Sequence, residues 1–190
     1  MPFADKIRAM PATSGEIVVS PGTVKDEAVL LVDEFESPVG NLVLAAANGK
    51  LLALEFKDPG RTNLGRLQEQ FALHNACDPF GFSGALKAYF AGDSSALDNI
   101  PVELHGTDFQ RKVWLALRDI PCGTTISYAQ LAARVGSPKA CRAVGITNGR
   151  NPIAIVLPCH RVIGSNGTLT GYGGGLPRKE WLLRHEGAIN

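Results

Sequence analysis

The 190-residue chain has no apolar run long enough to cross a bilayer. Its longest, such as "IAIVL" at 153–157, fall far short of the ~20 residues a membrane helix needs. Residues 1–10, MPFADKIRAM, lack the apolar stretch of a secretory signal. The four cysteines, at 77, 122, 141 and 159, include no CxxC pair. That spacing fits neither a disulfide framework nor a zinc knuckle. These absences predict a cytoplasmic protein whose thiols stay reduced. Net charge is almost absent too, at +1. What the chain does have is apolar content, 45%, enough to bury the core of one large domain or two small ones.

The small net charge hides an uneven distribution. Residues 1–106 hold 8 Lys and Arg against 14 Asp and Glu, a net of −6. Residues 107–190 hold 11 against 4, a net of +7. A basic half suggests an anionic partner, of which nucleic acid is the commonest. Two lobes attracting each other is the alternative.

Residues 1–28 carry Pro11, Gly15, Pro21 and Gly22 among small polar residues and show no period, which predicts a flexible leader. From Val29 the pattern changes. "VLLVDEFE", "NLVLAAA" and "KLLALEF" read as three strands, separated by "SPVG" and by Asn48-Gly49, a strong hairpin signal. The expectation is an antiparallel meander covered by a short helix at "FSGALKAYFAG". Pro101 and Gly106 mark a boundary, giving one domain over 29–104 and another over 107–190.

Three helices follow that boundary. Thr107 and Gln110 form a capping box ahead of "FQRKVWLALRDI", whose apolar stripe is Phe109, Val113 and Leu117. Ser127 and Gln130 form a second box ahead of "YAQLAARV", which Gly136 ends. Ser137 is expected to cap a third helix with Pro138 at its first position. Only "GS" would then separate helices two and three, the pattern of a helix-turn-helix. On a helical wheel at about 100° per residue, Ala140, Ala143, Val144 and Thr147 share one face and Arg142 lies opposite, flanked by Cys141, Gly145 and Ile146. A glycine in mid-helix costs about 1 kcal/mol against alanine. Close approach of a partner backbone would explain Gly145, and so would close helix packing.

The fold class expected is therefore α+β: a small N-terminal antiparallel sheet domain with helices, then a mostly helical, winged-helix-like C-terminal domain.

The chemistry is expected at "PCHR", 158–161. A thiolate, not a thiol, is the nucleophile, so Cys159 needs a base or a positive field. His160 is adjacent in sequence and could act through a water, and Glu186 could orient its imidazole. An isolated Cys-His pair is more often a buried cysteine beside a structural histidine. The surroundings argue otherwise. "GYGGG" at 171–175 is not followed by Gly-Lys-Ser/Thr and so is no phosphate loop; it reads as a mobile loop over a pocket, with Tyr172 its aromatic. A nucleophilic cysteine, a basic lobe and a helix-turn-helix together suggest chemistry on nucleic acid. Reaching an atom inside a duplex requires flipping the nucleotide out, and an outward arginine could fill the gap.

The segment "NPIAIVLPCHRVIGSNGTLTGYGGG" resembles the active-site segment of the O6-alkylguanine-DNA alkyltransferases. The similarity extends through "GTTISYAQLAARVGSPKACRAVGITNGRNP" to "KEWLLRHEG", covering about residues 30–188, strongly from 107 on and loosely before. The resemblance implies irreversible transfer of an alkyl group from guanine O6 to Cys159, with no cofactor and with the protein consumed. It implies His160 as base through a water, Glu186 behind it, Asn151 bracing the site and Tyr128 donating to the departing guanine. Arg142 would be the intercalating finger, with Ser127, Lys139, Ala140 and Gly145 at the DNA surface. Tyr172, Gly173 and Gly174 would wall the base pocket, with Val162 and Lys179 nearby. The implied partner is double-stranded DNA carrying O6-alkylguanine, entered from the minor groove; base-reading geometry alone would suggest the major groove. A nucleoid-associated monomer is expected, with cooperative assembly on DNA left open.

Two departures bear on this. Residues 1–76 contain no cysteine, so the zinc site some relatives build there is not expected, and no metal is. A second cysteine-rich, methyl-accepting domain is not expected either. Cys141 has no assigned role, and His74, His105 and His185 read as surface or packing residues. A cysteine hydrolase using the same three groups, a damage-binding protein without chemistry, and a transcription regulator are the rivals. The first would turn over; the second would lack Cys159; the third needs neither thiol nor pocket loop.

Overall fold

The three strand-like runs become β1 (Val29–Phe35), β2 (Leu42–Ala47) and β3 (Lys50–Phe56) in the computed structural model, which describes residues 29–58 and 63–190. The leader expected over 1–28 lies outside the described residues. β2 and β3 join through Asn48 and Gly49 at φ 51° and 74°, both left-handed, as a type I′ turn requires. The sheet order is β3-β2-β1-β4, and β4 (Ala72–Asn75) runs parallel to β1. The antiparallel meander expected for β1–β3 is present, and β4 is an unanticipated parallel addition at its edge. The short run "ALHN" is mostly exposed at the sheet edge and carries no period-2 signal.

Alternation on β2 sorts its side chains to two faces. Ala45 and Ala47 join Leu30, Leu52 and Leu67 in a small cluster under α1 (Leu64–Leu67). Leu42, Leu44 and Ala46 face the main core, with Leu86 and Tyr89 of α2 (Phe82–Phe90). The same apolar cluster continues into Val113, Leu131, Val144, Leu157 and Leu182 of the C-terminal residues. Backbone bonds reinforce that join. Leu54 N donates to Pro152 O at 3.0 Å and Ala154 N to Leu54 O at 2.8 Å, so β3 anchors the segment that leads to Cys159.

α3 (Asp108–Ala116) and α4 (Tyr128–Arg134) each start with the expected capping box, Thr107 with Gln110 and Ser127 with Gln130. Such caps contribute about 1 kcal/mol each. After α4, Gly136 at φ 70° donates to Ala133 O, and Ser137 N donates to Ala132 O. This paired closure is a Schellman motif.

The third helix, α5 (Cys141–Gly149), begins later than expected. Ser137 caps nothing; its carbonyl instead accepts from Ala140 N at 2.8 Å, closing a separate turn around Pro138. Ala140, at φ −97° and ψ 25°, breaks helical continuity and is the N-cap. The α4–α5 connection is therefore 135–140, not "GS". The wheel needs one change as well: Ala143 is exposed, and the buried face is Val144, Thr147 and Asn148. A parallel two-residue pairing joins β5 (Ile126–Ser127) to β6 (Val162–Ile163), and α6 (Leu176–His185) completes the fold. Among the described residues, no helix is long and apolar enough to cross a membrane.

Candidate active site

Cys159 opens a single 3-10 turn, Cys159–Arg161, and is 5% exposed. The chain reaches it through Ile155, which is buried at φ 70°. A β-branched residue in that region stores roughly 1–3 kcal/mol of strain, held in place by the β3 bonds and the core. Asn151 braces the thiol: its Nδ2 donates to Leu157 O at 2.6 Å and to Cys159 Sγ at 3.1 Å, while Oδ1 accepts from Ile153 N at 3.0 Å. An N–H aimed at sulfur favours the thiolate over the thiol. Asn148 Nδ2 donates to the Cys159 carbonyl at 3.2 Å, which fixes the peptide of the nucleophile.

His160 is fully buried, with Nε2 2.9 Å from Glu186 Oε1. A carboxylate can only accept here, so Nε2 carries the hydrogen and Nδ1 keeps its lone pair. Glu186 is the hub of this layer. Its Oε1 also accepts from the Tyr89 hydroxyl at 2.7 Å and Arg161 Nη2 at 2.9 Å, and its Oε2 from Arg161 Nε at 2.8 Å. Arg161 Nη1 donates to Ile120 O. Burial alone would raise the Glu186 carboxyl, but the hydrogen bonds from His160 and Arg161 outweigh it and hold the group well below its ordinary range. For His160, burial lowers the pKa and outweighs the upward pull of Glu186. The imidazole is therefore neutral at neutral pH, able to take a proton.

A cleft of about 470 Å³ opens on Cys159. Asn148, Asn151, Tyr172, Gly173 and Gly174 are among its walls. Among the described residues, three buried side-chain polar atoms lack a hydrogen-bond partner: Asn148 Oδ1, His160 Nδ1 and the Tyr172 hydroxyl. Each such atom costs about 1–3 kcal/mol in a folded protein. Two belong to residues lining the cleft and the third to the residue after Cys159. They lie at or next to the cleft that also holds Cys159, where a polar group could meet them.

Other expected residues sit elsewhere. Val162 and Lys179 are buried and do not line the cleft. Lys179 Nζ donates to Val162 O at 2.6 Å and Thr170 O at 2.8 Å, tying the glycine-rich loop to β6; burial lowers its pKa to about 8. The Tyr128 hydroxyl donates to Thr170 O and Gly171 O, at 3.0 and 3.2 Å. Burial raises its pKa. Gly145 faces the Tyr128 ring, where a Cβ would sit 3.6 Å away, so helix packing accounts for its proximity to α4. Ser127 is occupied as a cap; Ala140 is half-buried; Lys139 and Arg142 are exposed. Sequence reasoning missed Tyr89, Arg161 and Asn148. Arg161 stood inside the quoted motif, whereas nothing near Tyr89 in sequence signalled its bond to Glu186.

An amide N–H reaches a buried cysteine whose sequence neighbour is a buried, neutral imidazole held by Glu186, on the wall of an open cleft. That arrangement suits a class of protein whose own thiol is the reacting group, carried here beside α4 and α5, each of which exposes one arginine, Arg134 and Arg142. The C-terminal part matches the family model described as 6-O-methylguanine DNA methyltransferase, DNA binding domain, over residues 108–188. A methylated-DNA–protein-cysteine methyltransferase of Shigella flexneri is 48% identical over 166 residues, covering 84% of this chain and 97% of that relative. The crystal structure of the Mycobacterium tuberculosis O6-methylguanine methyltransferase superposes with a TM-score of 0.73 at 41% identity, covering 85% of this chain and 94% of that one. The M. tuberculosis protein solved in complex with DNA gives a TM-score of 0.70 at 42% identity, covering 84% and 93%. The chain belongs to the methylated-DNA–protein-cysteine methyltransferase family.

Proposed function

We propose that this protein repairs DNA by moving the alkyl group of O6-alkylguanine irreversibly onto Cys159. The single observation that carries this reading is the cluster of unpartnered buried polar atoms around a thiol that Asn151 already supports. His160 Nδ1 takes the thiol proton through a water, and Glu186 stabilises the resulting imidazolium. The thiolate attacks the alkyl carbon; the S–C bond forms as the C–O6 bond breaks, and its electron pair leaves on guanine. The guanine anion then takes a proton. The proton that His160 took balances it by way of water, while Tyr128, kept protonated by burial, donates a hydrogen bond to the departing guanine once its hydroxyl turns from Thr170 and Gly171. A thioether does not hydrolyse, so the protein is spent after one event. Mass spectrometry after incubation with excess O6-alkylguanine oligonucleotide should show one added alkyl group per chain, on the peptide containing Cys159. Continued release of product beyond one equivalent would favour the hydrolase reading.

DNA is the partner of this protein. We place its binding on residues 107–190, with 29–104 buttressing the cleft. Lys139, Arg142 and Arg150 are exposed and make no ion pair within the described residues, which leaves them for phosphates. α5 presents a small outward face with Ala143 beside Arg142, suited to a widened minor groove. The flipped guanine would occupy the cleft and Arg142 the gap in the stack. Arg142 is exposed, so Arg142→Ala should change stability by no more than about 0.5 kcal/mol. Flipping costs a few kcal/mol. Transfer from duplex DNA should therefore fall about tenfold or more, while transfer from free O6-alkylguanine changes little. Equal losses on both substrates would mean that Arg142 shapes the pocket instead.

A further inference from the structure

Arg178 ties the wall of the cleft to the N-terminal residues. Arg178, at the start of α6, donates through Nε to Val39 O at 2.7 Å. Its two terminal nitrogens pair with both carboxylate oxygens of Asp58, beyond the end of β3. Nη1 also donates to Gly174 O at 3.1 Å. The guanidinium lies over the Phe56 ring, 4.4 Å from its centroid. Phe56 in turn meets the Tyr172 ring edge-on, with centroids 6.1 Å apart. Contact at the loop is close: a Cβ on Gly174 would lie 2.4 Å from Phe56 Cε2, an impossible distance. The hydrogen bond from Arg178 lowers the Asp58 carboxyl, so the pair is ionised at neutral pH.

From this geometry we propose that Arg178 and Asp58 form a latch that positions the Tyr172–Gly174 wall and so sets the size of alkyl group the cleft accepts. Neither residue touches the reacting atoms; both are positioning residues. The glycine-rich stretch 171–175 has little intrinsic stiffness, since glycine carries no side chain to restrict it. Its rigidity is imported. Lys179 holds the Thr170 end, and Arg178 with Phe56 holds the Gly174 end. Bidentate pairing matters because the planar guanidinium fixes direction as well as charge. With the latch opened, Tyr172 can swing outward. A small alkyl group then loses its contacts while a bulky one gains room.

This inference rests on the reading that Cys159 accepts alkyl groups, and its test separates the two. Arg178→Gln, Arg178→Lys and Asp58→Asn are compared with wild type on free O6-methylguanine and free O6-benzylguanine, by mass of the adduct. Methyl transfer should fall about tenfold in Arg178→Gln and Asp58→Asn, and benzyl transfer by much less, so the benzyl-to-methyl ratio rises at least fivefold. Arg178→Lys, which keeps charge but not the fork, should lie between. In parallel, hydrogen exchange of the Gly175 amide, which donates to Tyr172 O, should quicken in the variants while amides of the main core do not. Equal losses on both substrates, or unchanged Gly175 exchange, overturn the latch. If wild type forms no adduct, the functional reading fails and the exchange result alone decides the latch. If Arg178→Gln does not fold, Asp58→Asn, altering a residue at the edge of the cleft, carries the comparison.

Discussion

Cys159→Ser should form no adduct under any of these conditions and should still bind alkylated DNA. Among the described residues, the thiol is the group in the cleft that accepts from Asn151 and that is followed in sequence by a buried, neutral imidazole. A serine hydroxyl is far harder to ionise than a thiol and is a much weaker nucleophile toward a saturated alkyl carbon. The loss should therefore be complete within detection. Binding should survive because the exposed basic groups proposed to meet phosphate, among them Arg142 and Arg150, lie on and after α5 and are untouched. Intact mass and a gel-shift titration in one sample provide the measurement. An adduct persisting in the variant, for example on half-buried Cys141, would remove Cys159 from the centre of the mechanism. Loss of DNA binding along with transfer would mean that the substitution had disturbed the fold around Asn148 and Asn151.

How much of this was legible beforehand depends on how local each determinant is. The starts of α3 and α4 were readable because a capping box is a four-residue device, and its donors and acceptors are set within those residues. The β2–β3 hairpin was readable for the same reason. The start of α5 was misread by the same local logic: Ser-Pro is a helix-start signal, but here the Ser137 carbonyl closes a turn and Ala140 takes the cap position. The pairing of His160 with Glu186 expected from sequence is present in the structure, which adds Arg161 and Tyr89 as the groups that fix Glu186. Tyr89 lies 97 residues from Glu186, and Asp58 lies 120 from Arg178. Pairings at that separation follow from how the sheet lobe packs on the helical one, and neither residue's sequence neighbourhood carries a trace of them. β4 failed for a different reason. An exposed parallel edge strand of four residues has too little burial to impose alternation.

The hub makes Glu186→Gln the second large effect, and it changes what that substitution is expected to do. Read from sequence, with Glu186 serving only to orient His160, the change should slow transfer and leave the fold intact. In the structure Glu186 also neutralises the Arg161 guanidinium, whose side chain is 11% exposed. An amide offers one acceptor where the carboxylate serves four contacts, and its NH2 group would face donors. Removing one partner of a buried ion pair costs about 3–5 kcal/mol, because the other charge is left uncompensated. Glu186→Gln should therefore lower the unfolding free energy by about that amount at pH 7, and slow alkyl transfer about tenfold or more through loss of imidazolium support. Acid should erase part of the difference. The Glu186 carboxyl is depressed in the fold, so its contribution is full above its unfolded pKa of about 4.3 and is lost as pH falls through its lower folded value. His160 is depressed too, so both forms of the protein lose stability as pH drops below about 6.5. Urea titrations at stepped pH should show a wide gap between wild type and variant from pH 7 down to about 4.5, then a narrowing one. A gap of constant width across that range would mean that shape, not charge, is what the hub contributes. Tyr89→Phe, which removes one donor and leaves the Arg161 pair intact, should cost far less, and a loss equal to that of Glu186→Gln would point to the same conclusion.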